Sequence, residues 1–112
     1  MEKINVSEAK VLDFAKKGLI DIGYPENIEV TSYIGDDSSV IYWANYCVEG
    51  LDEKHLKPLR VSDIVMLVQH AMVMEGYDAP ELTIRVRNDK VCYSVLTNIA
   101  TYDNKGINRK RG

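Results

Sequence analysis

The sequence predicts a single α+β domain of order α-β-β-α-β-β, with one antiparallel four-stranded sheet covered on one face by two helices. Three observations carry that expectation. Two segments place apolar residues at helical spacing and stop at a glycine, and two others gather β-branched and aromatic residues around turn residues. The two kinds of segment follow one another twice. At 112 residues, 46% hydrophobic and 28% charged, the chain has the size and composition of one globular domain rather than of a disordered or membrane protein.

The first helix is expected from about Ser7 to Asp21. Ser7 can cap it, Glu8 sits well in its first turn, and Val11, Leu12, Ala15, Leu19 and Ile22 share one face. Gly23 can close the helix in the left-handed conformation, and Pro25 cannot continue it. The stretches from Ile28 to Ile34 and from Ser39 to Val48, with Gly35, Asp36, Asp37 and Ser38 between them, then read as a hairpin. A register pairing Ile34 with Ser39 turns Ile28, Val30, Ile41 and Trp43 toward the helices, and Tyr33, Tyr42 and Tyr46 away from them.

Asp52, Glu53, Lys54, His55 and Lys57 form a polar connection to the second helix, which Ser62 and Asp63 open and Gly76 closes. Ile64, Leu67, Val68, Ala71, Met72 and Met74 make this helix apolar around most of its girth, so it is expected to be the more buried of the two. In the second hairpin Leu82, Ile84 and Val86 alternate with Thr83, Arg85 and Arg87, and Asn88-Asp89 supplies a two-residue turn. Arg87 then faces Lys90, and Val86, Ile84 and Leu82 face Val91, Tyr93 and Val95. One face of that hairpin is wholly apolar.

The two halves resemble each other. Val6-Ser7-Glu8 precedes Val11 as Val61-Ser62-Asp63 precedes Met66, and the helices end at Gly23-Tyr24 and Gly76-Tyr77. A duplication with a pseudo-twofold axis would account for this; so would the recurrence of favourable caps in unrelated helices. The domain is expected to span 1–104. Residues 105–112, with Lys105, Arg109, Lys110 and Arg111, are read as a basic, mobile tail. Up to Lys57 the chain has eleven acidic and six basic residues, and beyond it six acidic and eight basic, so its halves differ in charge.

No glycine-rich phosphate loop, dinucleotide fingerprint or zinc spacing is present, and no cofactor is expected. Asp36 and Asp37 lie in a loop with two serines, but such residues are ordinary in turns and too few for a calcium loop. His70 has no visible catalytic partner and His55 lies among charges. Cys92 would face Arg85, which favours a thiolate, yet cysteine more often fills space, and Cys47 supports nothing sharper. No apolar run approaches the roughly 20 residues that span a bilayer, and the first residues lack a signal-peptide core, so the cytoplasm is the expected location.

The open sheet face is therefore the candidate site. Tyr33, Tyr42, Tyr46, Arg85 and Arg87 are of the residue types enriched at interfaces, so the expected function is non-catalytic protein binding. The chain would be a small inhibitor or accessory factor of the kind phages and mobile elements encode, with a homodimer as a further use of the tyrosines. The alternative is a nucleic-acid-binding module using Arg85, Arg87, Lys90, Lys105, Arg109, Lys110 and Arg111. An enzyme of unrecognised type comes third.

Overall fold

The computed structural model describes residues 2–48, 50 and 53–98. Along the chain run β1 (Glu2–Val6), α1 (Glu8–Asp21), β2 (Glu29–Ile34), β3 (Val40–Cys47), β4 (Lys54–Leu59), α2 (Val61–Met74), β5 (Asp78–Arg87) and β6 (Lys90–Asn98). The strands form two antiparallel three-stranded sheets, β1-β6-β5 and β2-β3-β4. This corrects the expected single four-stranded sheet and its α-β-β-α-β-β order, although the α+β class and the two helices stand. Each expected hairpin gains one short outer strand from elsewhere in the chain: β1 joins β6, and β4 joins β3. The segment expected to be a polar connection is therefore largely strand, with Lys54, Lys57 and Pro58 on the sheet edge, where charge and proline discourage further pairing.

The helices start and stop as local chemistry dictates. Ser7 Oγ accepts from the Lys10 N–H at 3.2 Å, and Asp63 Oδ2 accepts from the Arg60 N–H at 2.9 Å, one cap from each side of a helix start. Gly23 and Gly76 take φ of +119° and +104° after the last turns, and the N–H groups of Tyr24 and Tyr77 bond back to Leu19 and Met72 carbonyls. The expectation that α2 is the more buried fails. Each helix buries five residues: Val11, Phe14, Ala15, Gly18 and Leu19 in one, and Ile64, Leu67, Val68, Ala71 and Met72 at the same five positions of the other. The extra apolar residues of α2, Met66, Val73 and Met74, are left exposed.

The two hairpins differ in how well their turns dictate register. Asn88 and Asp89, at φ of +50° and +60°, make a two-residue turn, and every expected pair from Arg87↔Lys90 to Leu82↔Val95 is present. In the first hairpin Gly35 N–H donates to the Ser39 carbonyl, Ser38 N–H closes a tighter turn on Gly35, and Ser38 takes φ of +66°. That longer loop makes Ile34 pair with Val40 and Val30 with Ala44. The register is one residue away from the expected one, and a slip of one residue exchanges the faces of a strand. Tyr42 is therefore fully buried and Trp43 is 38% exposed.

The two halves are alike in topology and register. In both halves a short strand leads directly into a 14-residue helix, a hairpin follows, and the short strand pairs with the last hairpin strand of the other half. Val6 pairs with Tyr93 as Leu59 pairs with Tyr42, and Ile84 faces Tyr93 as Ser32 faces Tyr42. The unit is thus β-α-β-β, and its first strand is exchanged. Helix positions align Val11 with Ile64 and Gly23-Tyr24 with Gly76-Tyr77, so the likeness of Val6-Ser7-Glu8 to Val61-Ser62-Asp63 has no structural counterpart. Both inner sheet faces and both helices contribute to one core, in which Phe14, Leu19, Ile28, Ile64, Met72 and Val95 are among the most deeply buried.

Candidate functional site

At the centre of the molecule the two equivalent tyrosines meet. Tyr42 and Tyr93 hydroxyls lie 2.8 Å apart, Tyr93 donates to Glu8 Oε2 at 3.4 Å, and Ser32 donates to the same oxygen at 2.8 Å. Burial raises the Tyr42 hydroxyl above the ordinary tyrosine range, and burial, then the bond to Tyr42 and the nearby Glu8 carboxylate, pushes the Tyr93 hydroxyl well above it. They stay protonated at neutral pH and serve as a satisfied polar pin between the sheets. Glu8, which joins the start of α1 to β2 and β6, has no signature in the sequence beyond its place in a first helical turn.

The two uncovered faces, turned away from the helices, carry different chemistry. On β2-β3-β4 the outward positions hold Tyr33, Ile41, Trp43, Leu56 and Pro58. Trp43 lies opposite Pro58 on one side and Thr31 on the other, Ile41 lies opposite Tyr33, and Leu56 is two residues from Pro58 on the same strand. Successive outward residues on a strand are neighbours, so this is one continuous apolar and aromatic patch. Tyr33 and Leu56 are more than 60% exposed, which leaves most of their area open to a partner. On β1-β6-β5 the outward positions hold Lys3, Asn5, Glu81, Thr83, Arg85, Arg87, Cys92, Ser94 and Leu96, most of them around a shallow open groove.

The structure redistributes the expected site. Tyr33 is on the uncovered face, as expected, but Tyr42 is in the core, and Tyr46 is half-buried on the inner side. Tyr46 stacks on His55 with ring centroids 5.3 Å apart and receives the edge of Tyr24. Arg85 and Arg87 are exposed and outward, but they belong to the other sheet. Trp43, Ile41, Leu56 and Pro58 are the outward residues the sequence reading misplaces or omits. The signal that could have found them is that both faces of the second hairpin strand are apolar. Lys90 ends the same sheet as Arg85, whereas Lys105, Arg109, Lys110 and Arg111 lie outside the described residues.

The remaining candidates stay apart from one another. Asp37 Oδ1 accepts from the Ser39 hydroxyl and N–H, which holds its carboxyl below the usual range and marks it as a turn residue. Among the described residues no group of three potential ligands could hold a metal ion. His70 Nε2 is 2.8 Å from Asp21 Oδ2 and so ties α2 to α1, and the His55 Nε2 has no hydrogen-bond partner among the described residues. Cys92 does face Arg85 and is exposed, and Cys47 is half-buried; both are free thiols. No described helix is long and apolar enough to cross a membrane. Against known family models, curated proteins and solved structures, the chain finds no match.

Proposed function

We propose that this is a non-catalytic binding protein, an inhibitor or accessory factor, which acts by docking another protein on the uncovered face of β2-β3-β4. One observation carries the reading: the chain's single tryptophan lies outward in a continuous patch with Ile41, Tyr33, Leu56 and Pro58. The core does not need those side chains there, since Tyr42, Ala44, Val30 and Leu59 already fill the inner face. Exposed apolar side chains gathered in one place mark interaction sites more often than scattered ones do, and tryptophan and tyrosine are the usual energetic centres of such sites.

The test is capture from the native lysate with the tagged full chain and three variants. Trp43→Ser and Leu56→Ser should each release the partner, with a loss of about 2 kcal/mol or more if they are central contacts, while Ser62→Ala, on α2, should keep it. Sedimentation of the purified protein separates a foreign partner from a second copy, because a homodimer through this face would dissociate in the Trp43→Ser variant. Retention of every captured protein by a Tyr33→Ser, Trp43→Ser, Leu56→Ser triple variant would end the proposal.

A further inference from the structure

The other uncovered face has an unassigned chemistry of its own. Lys3, Arg85 and Arg87 line its groove, and Lys90 continues the row at the hairpin end. None of these four cations forms an ion pair with another described residue. Asn5, Thr83 and Ser94 lie between them with neutral N–H and O–H groups. Carboxylates are confined to the margins: Glu81 at the far end, Asp89 in the turn, and Glu8, whose Oε2 is already taken by Ser32 and Tyr93.

Unpaired cations interspersed with neutral donors are complementary to a run of phosphates, where lysine and arginine displace counterions and the hydroxyls and amides bond phosphate oxygens. Arg85 and Arg87, two residues apart on one strand, lie on the same face of the sheet. An open sheet face offers a shallow platform to a single strand and no projecting helix for a duplex groove. No aromatic residue lies at its outward positions to stack on bases.

We propose that the uncovered face of β1-β6-β5 binds single-stranded nucleic acid through its phosphates, without reading sequence, and independently of the protein-docking face. The probe is a fluorescein-labelled 20-nucleotide oligothymidine, followed by anisotropy against the full chain from 20 to 200 mM salt. Binding should weaken with salt, with a log-log slope of about −3 for some four phosphates neutralised by the face. An Arg85→Glu, Arg87→Glu variant should lose at least tenfold in affinity at 20 mM salt. The milder Arg85→Gln, Arg87→Gln variant should flatten the slope by about 1.4. Trp43→Ser should bind as the wild type does, and an oligoadenosine of equal length should bind within a few fold. Circular dichroism verifies that each variant is folded. No binding at 20 mM salt, equal binding by a folded Arg85→Glu, Arg87→Glu variant, or equally strong displacement by polyglutamate, which would make the ligand an acidic peptide, would each overturn the proposal.

Discussion

On their inner sides the two sheets place Tyr42 and Ala44 at the positions where Tyr93 and Val95 stand, all four buried. On their outer sides Trp43 stands where Ser94 does, Ile41 where Cys92 does, Tyr33 where Arg85 does, and Leu56 where Lys3 does. The inner positions answer to one shared core, in which any change of volume is felt, and at its centre both halves hold a tyrosine. The outer positions answer only to what lies outside the molecule. Their divergence into an aromatic face and a cationic face therefore carries the functional reading, and the common inner register is the background that makes it visible.

The comparison breaks most easily at its shared centre. Tyr42→Ala and Tyr93→Ala should each cost about 3–5 kcal/mol, since each opens a cavity and breaks the bond between the two hydroxyls. Chemical denaturation would show it, and a cost that differed greatly between the two would deny the equivalence of the halves. A smaller effect lies where the helices cross. A Cβ on Gly18 would come within 2.8 Å of the Leu67 carbonyl oxygen, so Gly18→Ala should destabilise by about 1–3 kcal/mol even though alanine favours helices. At the equivalent position of α2, Ala71→Gly should cost about 1 kcal/mol through propensity and lost packing.

The tyrosine pair also fixes a pH dependence. A group whose pKa rises on folding stabilises fully below its unfolded value and loses that contribution as pH climbs toward the folded one. Both hydroxyls rise, so their contribution should be constant through neutral pH and fall above about pH 10. Denaturation midpoints of the wild type should decline in that range more steeply than those of a Tyr42→Phe, Tyr93→Phe variant. That variant should also be nearly as stable as the wild type at pH 7, because both partners of the bond are removed together.

What the sequence disclosed and what it hid follow from the same physics. The β5-β6 hairpin was legible in full because a two-residue turn leaves one register and its alternation sorts both strands. The β2-β3 hairpin was not, because the loop from Gly35 to Ser39 admits two registers and β3 has apolar residues on both faces, Val40, Tyr42 and Ala44 on one and Ile41 and Trp43 on the other. Tyr42 and Tyr46 were consequently expected on the wrong face of the sheet. β1 and β4 escaped because five or six mixed residues show no period, and only pairing with a distant strand makes them strands. α2 misled for a related reason: pattern counts its apolar residues, but only packing decides that Met66 and Val73 face outward.

The smallest expected effect on stability is also the most informative. Trp43→Ser should cost no more than about 1 kcal/mol, since the residue is not part of the core. The orientation itself can be read without any substitution, because Trp43 is the chain's single tryptophan. Acrylamide should quench its fluorescence readily in the folded protein, the emission maximum should lie near that of an exposed indole, and addition of the docked protein should shift it blue and protect it. A blue-shifted, quench-protected tryptophan in the isolated folded monomer would show that Trp43 faces the helices, and that the aromatic face does not exist.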